Sequence, residues 1–146
     1  MAYSNRTMRL ISGGLILLCV GVYIVIERQH TPILTPSMVD AAADYGRDRN
    51  LTAPPRPFHF DGCTLFPDRI GRSDFTAACL THDIAYWYGG TADERQHADR
   101  VFRHQIKDSG PAGAILQWPM YVMVRIFGNS LILRPLNANW GFGYND

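Results

Sequence analysis

Residues 60–90 constrain the fold of this chain more than any other segment of its sequence. They read FDGCTLFPDRIGRSDFTAACLTHDIAYWYGG, which is a loop rich in turn-forming residues followed by a stretch with helical periodicity. Phe75, Cys79, His82 and Tyr86 recur in that stretch at the spacing of one helix face. The pattern therefore predicts a loop and then a helix whose histidine shares its face with apolar side chains.

The first helix has a start signal and a stop signal. Ser73 or Asp74 is predicted to cap its N-terminus, because short polar side chains accept hydrogen bonds from the free amide groups there. Residues 89–90 are both glycine and are predicted to end the helix after Tyr88, since a helix terminus favours residues that adopt positive φ. So short a connection places the next helix antiparallel beside the first.

The second helix begins with a capping-box pattern, Thr91 followed three residues later by a glutamate, and is predicted to run to about Lys107. It carries Asp99, which lies about as far from the connection as His82 does on the first helix. The two side chains are therefore expected to lie opposite each other. A histidine oriented by a carboxylate can act as a base, and Tyr86 could hold that carboxylate through its hydroxyl group.

Oxygen ligands for a hard cation are predicted beside the histidine. Asp83 directly follows His82, so on a helix its side chain points about a quarter of a turn away, towards the loop at Asp61. Two carboxylates, together with backbone carbonyl groups and water, are typical ligands of Ca²⁺. Either acid alone would be interpreted as solvated surface, but with the histidine they predict a calcium-assisted ester hydrolase.

The two cysteines of this segment leave three interpretations open. Cys63 and Cys79 can form a disulfide if the segment is exported, because exported compartments are oxidising. They could instead bind zinc with His82 and either His97 or His104, although no compact pair of ligands supports that arrangement. Both would remain reduced thiols if the segment stayed in the cytoplasm.

The N-terminal part of the chain predicts export. Residues 10–26 read LISGGLILLCVGVYIVI, carry no charge and are long enough to span a bilayer as a transmembrane helix. Arg6 and Arg9 precede them, which favours a cytoplasmic N-terminus at residues 1–9. We therefore expect a single-pass signal anchor with the following domain on the exported side, periplasmic or extracellular. The alternative is a cleaved signal peptide and a secreted protein.

The rest of the chain divides around one predicted domain. Residues 27–57 are predicted to form a stalk with a short helix at residues 37–45, and residues 58–128 to form the domain itself. A third helix is expected at residues 112–127, with a kink at Pro119.

The C-terminal tail and the overall charge give little guidance. Residues 129–146 are loop-like and aromatic, and the sequence does not place them. The net charge is +1, from 14 Lys and Arg against 13 Asp and Glu, and the two signs are interspersed. Nucleic acid is therefore not predicted as a partner.

Taken together, these motifs resemble the secreted phospholipase A2 superfamily, and its small bacterial and fungal branch in particular. The resemblance rests on AC-x-x-HD-x-x-Y at residues 78–86, behind Asp-Gly-Cys at residues 61–63, with Pro-Asp at residues 67–68. The chain has TLFPDRIG where the animal enzymes have a glycine-rich calcium loop, which is closer to the bacterial branch. The resemblance implies an all-α fold in which an antiparallel helix pair carries the site, with a calcium loop before it and a third helix after it.

The resemblance also implies catalytic roles. His82 corresponds to the catalytic base, Asp99 to the aspartate that orients it, and Tyr86 to the tyrosine that supports the pair. The implied reaction is hydrolysis of the sn-2 ester of a glycerophospholipid by water that the histidine activates. A phospholipid membrane is the implied partner, and protein partners are unknown.

A calcium site and a disulfide follow from the same resemblance. Asp61, the carbonyl group of Gly62, and Asp83 correspond to calcium ligands, so Ca²⁺ is the expected cofactor. Cys63 and Cys79 correspond to the disulfide that joins the loop to the helix. The alternative within the same fold is a catalytically inactive envelope protein that binds lipid or a protein partner.

Overall fold

Four helices and one short hairpin make up the part of the chain that the computed structural model describes, namely residues 34–129, 134 and 138–144. In chain order they are helix α1 (Pro36–Asp48), strands β1 (Arg69–Ile70) and β2 (Ser73–Asp74), and helices α2 (Thr76–Tyr88), α3 (Ala92–Asp108) and α4 (Pro111–Phe127). The described chain is thus mostly helical, as predicted. The antiparallel hairpin formed by β1 and β2 is not predicted from the sequence.

Helices α2 and α3 form the predicted pair, and α3 starts with the predicted capping box. The hydroxyl group of Thr91 accepts the amide of Glu94 at 3.2 Å, and the Glu94 carboxylate accepts the amide of Thr91 at 2.7 Å. Helix α2 ends at Gly89, whose φ of 69° lies in the region that favours glycine. The end of one helix and the start of the next are therefore set by residues within a few positions of each other.

Contacts along the pair show that the two helices run antiparallel. Near the connection, Arg95 Nε lies 3.4 Å from the hydroxyl oxygen of Tyr86. Farther from it, His82 Nε2 lies 2.9 Å from Asp99 Oδ1. Residues of α2 farther from the connection thus contact residues of α3 that are also farther from it, as the sequence predicts for an antiparallel pair.

The start of α2 differs from the prediction. Ser73 and Asp74 lie in β2, and the helix begins at Thr76 with Phe75 in the N-cap position. Asp74 still accepts the amide of Thr76 at 3.0 Å. Ser73 is fully buried, and its hydroxyl group accepts the amide of Ala112 at 3.0 Å. Pairing with β1 therefore removes both residues from the helix, and Ser73 holds α4 instead.

Helix α1 packs on the end of α2, although the sequence places it in a stalk. Ala42 is buried, and its carbonyl group accepts the hydroxyl of Tyr88 at 3.1 Å. The ring of Tyr45 stacks on that of Tyr88, with the centroids 5.5 Å apart. A Cβ at Gly46 would lie 2.1 Å from the Tyr88 oxygen, so glycine permits this approach. The helix is also longer than the predicted residues 37–45.

Helix α4 approaches α3 closely at Gly113. A Cβ at this position would lie 1.9 Å from the carbonyl oxygen of Ile106, so the approach requires glycine. Ile106 and Met120 are buried in the resulting interface. Helix α4 continues through Pro119, and the kink expected there stays a prediction.

The described part of the C-terminal tail covers the end of α2. The amides of Gly141 and Gly143 donate to the carbonyl groups of Tyr86 and Trp87 at 2.6 and 3.1 Å. These are carbonyl groups that a helix C-terminus leaves without partners in the helix. Phe142 between the two glycines is buried, so this part of the tail belongs to the core.

The predicted membrane anchor lies outside the described residues. Residues 10–26 are not among them. Within the residues that the structure describes, no helix is both long and apolar enough to cross a bilayer. The anchor and the orientation it implies therefore stay predictions.

Substituting Gly113→Ala should lower the free energy of unfolding by about 1–3 kcal/mol, the usual effect of overpacking. A Gly→Ala change inside a helix without a close neighbour instead raises stability by about 1 kcal/mol, so the sign of the change reports the contact. Urea unfolding measures it. A more stable variant would show that α3 and α4 do not approach each other here.

Candidate active site

His82 and Asp99 form the predicted pair. His82 Nε2 lies 2.9 Å from Asp99 Oδ1, and the two side chains are 7% and 0% exposed. An ionised carboxylate only accepts hydrogen bonds, so this contact assigns a proton to Nε2. Nδ1 is then the nitrogen that can take a proton from another molecule.

Asp99 is surrounded by donors. The hydroxyl of Tyr86 donates to Oδ1 at 2.8 Å, Arg125 Nη1 donates to Oδ2 at 2.6 Å, and Arg95 Nε lies 4.0 Å from Oδ2. Burial by itself would raise the pKa of Asp99, but the hydrogen bonds from His82 and Arg125 outweigh it and hold the pKa below its ordinary value. Asp99 is therefore ionised at neutral pH.

Tyr86 makes the contact with Asp99 that the sequence predicts. Its ring is buried and lies against that of His82, with the centroids 4.1 Å apart. Burial, and then the charge of Asp99, raise the pKa of Tyr86. The hydroxyl group therefore stays protonated and can only donate to the carboxylate.

Two arginines beside Asp99, Arg95 and Arg125, are not among the residues predicted from the sequence. Arg95 lies one turn before Asp99 on α3. This spacing brings two helix side chains together, so the contact could have been predicted from the sequence. Arg95 Nη2 also donates to the carbonyl groups of Val124 and Arg125, at 3.2 and 2.8 Å, and so fixes the end of α4. No local signal marks Arg125, because its contact depends on how α4 packs.

The free nitrogen of His82 faces Asp83. Nδ1 lies 3.9 Å from Asp83 Oδ1, which is too long for a hydrogen bond but close enough for electrostatic attraction. Burial by itself would lower the pKa of His82, but Asp83 and Asp99 together raise it above its ordinary value. Burial raises the pKa of Asp83 to about 6, and the charge of Asp61 adds to this rise against the pull of His82.

The charge of Asp61 acts on Asp83, so the two carboxylates lie near each other. Their like charges disfavour each other, and a divalent cation between them would remove that repulsion. Both reach solvent, since Asp61 is exposed and Asp83 is 22% exposed. Among the described residues, no group of three or more His, Cys, Asp or Glu side chains lies close enough to hold a metal ion. A cation here would therefore need backbone carbonyl groups and water as further ligands.

The Cys63–Cys79 disulfide joins the loop to α2, with the two Cα atoms 5.3 Å apart. Both sulfur atoms are used in this bond, so the zinc alternative and the alternative of reduced thiols are wrong. His97 and His104, the other zinc ligands considered, are exposed on α3. The bond ties the loop to Cys79, which lies one turn before His82 on α2.

A narrow pocket of about 60 Å³ opens beside the pair. His82 and Asp83 lie in its wall, and most of the remaining wall is apolar: Leu65, Phe66, Phe102, Met120, Met123, Val124 and Phe127. This volume has room for water and the reacting end of a substrate. The larger part of a long apolar substrate would lie outside it.

No protein-family model, curated protein or solved structure matches this chain. The resemblance to phospholipases A2 therefore rests on sequence motifs alone and stays a prediction.

Replacing Arg125 by leucine should lower the free energy of unfolding at pH 7 by about 1–2 kcal/mol, because Asp99 loses a charged hydrogen bond. The 32% exposure of Arg125 keeps the effect below that of a fully buried donor. Folding lowers the pKa of Asp99, so this contribution is complete above the ordinary aspartate pKa of about 3.9 and fades as the pH falls through the lower folded value.

Urea unfolding at a series of pH values measures both effects. Arg100→Leu, at an exposed position of α3, is the control and should change the stability little. Equal losses in the two variants, or a loss that does not shrink as the pH falls over the range in which the wild-type protein stays folded, would contradict the role of Arg125 at Asp99.

Proposed function

We propose that this protein is a calcium-dependent, phospholipase A2-like hydrolase that cleaves the sn-2 ester of glycerophospholipids. One observation carries the proposal: ionised Asp99 holds His82 through Nε2, while Nδ1 faces Asp83 at the pocket. The motif resemblance supplies the substrate class. A phospholipase A2-like domain on the exported side of an N-terminal anchor belongs to the same proposal.

In the proposed reaction His82 acts as a general base. A water molecule in the pocket attacks the ester carbonyl carbon, and Nδ1 takes the proton that the water loses. Asp99 stabilises the resulting imidazolium through its contact with Nε2. The same proton then passes to the departing glycerol oxygen as the ester bond breaks, which leaves a fatty acid and a lysophospholipid.

Asp61, Asp83 and the carbonyl group of Gly62 would hold the calcium ion. When bound, calcium polarises an ester carbonyl group and stabilises the negative charge that develops on its oxygen. The disulfide at Cys63 supports this assignment, because it keeps the loop that carries Asp61 next to the helix that carries Asp83.

The outer face of α4 supports a lipid as the substrate. The exposed residues of this helix are all apolar: Pro111, Ala114, Ile115, Trp118, Pro119, Val122 and Ile126. Arg103 lies over the ring of Trp118, with its guanidinium carbon 4.2 Å from the centroid. An apolar helix face bordered by tryptophan and arginine is typical of helices that lie in a membrane interface. Other side chains of α4 line the pocket, so a lipid surface on this face would be adjacent to the site.

Hydrolysis by the full-length protein and by His82→Gln tests the proposal. We expect wild-type protein to release fatty acid from mixed phospholipid vesicles with calcium and to stop when EGTA removes it. His82→Gln should lower the rate by about 10²–10⁴-fold, the usual contribution of a general base. Fatty-acid titration measures the rate.

The matched control is His97→Gln, the same change at an exposed histidine of α3, which should keep wild-type activity. Circular dichroism confirms that each variant is folded. If folded wild-type protein released no fatty acid from any phospholipid, the inactive lipid-binding alternative would replace the hydrolase.

Substituting Val122→Asp on the outer face of α4 should slow hydrolysis of vesicles by about tenfold or more, because a carboxylate is costly in an apolar interface. The same variant should hydrolyse a short-chain phospholipid, kept below its critical micelle concentration, at the wild-type rate. Val39→Asp on α1 is the control, since Val39 is 44% and Val122 47% exposed. If Val122→Asp slowed the hydrolysis of vesicles and of the short-chain phospholipid equally, this would show that Val122 does not contact the lipid surface.

A further inference from the structure

Asp68 is a buried acidic residue that has no role in the proposed reaction. It is 9% exposed, and its Oδ1 accepts the backbone amide of Cys63 at 2.7 Å. The same carboxylate lies against Gly62, where a Cβ would come within 2.3 Å of Oδ1. The φ of Gly62 is 96°, a conformation that glycine adopts freely. The Asp68 contact therefore requires glycine at position 62.

The amide that Asp68 accepts belongs to the same peptide group as the carbonyl of Gly62. A trans peptide is planar, so its N–H and C=O bonds point in opposite directions. Because the N–H of Cys63 points at Asp68, the carbonyl oxygen of Gly62 points away from it. The hydrogen bond also polarises the peptide group and makes the carbonyl oxygen a better ligand for a cation.

Other bonds fix both sides of this contact. Cys63 is bonded to Cys79 through the disulfide, and its carbonyl group accepts the amide of Phe66 at 3.0 Å. The backbone carbonyl of Asp68 accepts the amide of Phe75, the residue before α2, at 2.8 Å. Both partners are thus tied to the helix that carries Asp83, so the direction of the Gly62 carbonyl is set relative to that carboxylate.

We propose that Asp68 is a positioning residue that aims the carbonyl group of Gly62 at a cation shared with Asp61 and Asp83. This inference rests on the proposed function, because it assumes that calcium binds there. Asp68 acts through the peptide group and not as a ligand itself. Removal of a residue that orients a metal ligand typically weakens metal binding by about 10–100-fold.

Calcium affinity of the full-length protein tests this inference, measured by calorimetric titration with CaCl₂ in the absence of lipid. Asp68→Ala should weaken binding by about 10–100-fold. Asp68→Asn should stay closer to wild type, since its amide oxygen can still accept the Cys63 N–H. Asp74→Asn is the matched control, because it removes an exposed carboxylate from the neighbouring hairpin, and it should leave the affinity unchanged.

The outcomes separate this inference from the proposed function. Wild-type affinity in Asp68→Ala overturns the role of Asp68 and leaves the calcium site standing. Equal weakening in Asp68→Asn and Asp74→Asn shows that charge alone matters and also overturns it. No calcium binding by the wild-type protein overturns the calcium site and the role of Asp68 together.

Nuclear magnetic resonance of the wild-type protein decides the matter if Asp68→Ala does not fold. We expect the amide proton of Cys63 to be protected from exchange with and without calcium. The carbonyl carbon resonance of Gly62 should shift when CaCl₂ is added. A freely exchanging Cys63 amide, or a Gly62 resonance that does not move while calcium binds, overturns the inference.

Discussion

The buried carboxylate of Asp99 is the group on which the rest of the structure depends. It is completely buried, and an ionised carboxylate left alone in an apolar interior would destabilise any fold of this size. Its donors come from two other helices: His82 and Tyr86 from α2, and Arg125 from α4. Each hydrogen bond therefore fixes the position of a helix as well as a side chain.

The same set of contacts orients the histidine and builds the pocket. Because Asp99 holds Nε2 of His82, the other ring nitrogen is directed towards Asp83, and both residues lie in the pocket wall. Because Arg125 and Arg95 hold the end of α4 next to Asp99, the apolar side chains of that helix form the pocket wall. The disulfide fixes the loop to α2, and residues of this loop complete the pocket wall. Stability and the proposed chemistry thus depend on the same buried charge.

Local signals in the sequence are enough to predict the helix pair and the meeting of His82 with Asp99. The glycines after α2 and the capping box of α3 set where each helix ends and begins, and this decides which residues face each other. Ser73, Arg125 and residues 138–144 could not be placed in this way. Each meets a partner distant in the chain, so its position depends on tertiary packing: Ser73 contacts the start of α4, Arg125 contacts Asp99, and the tail contacts the end of α2. The disulfide depends on the compartment as well as on spacing, which is why the sequence alone leaves alternatives.

The tautomer of His82 in the full-length protein tests the central claim most directly, since a base in the proposed reaction needs an unprotonated Nδ1. Nitrogen-15 resonances of the imidazole ring report it, at a pH high enough for the ring to be neutral. We expect the proton on Nε2, where Asp99 accepts it, and a free lone pair on Nδ1. A proton on Nδ1 would contradict the claim, because His82 would then donate towards Asp83 and could not take a proton from water in the pocket.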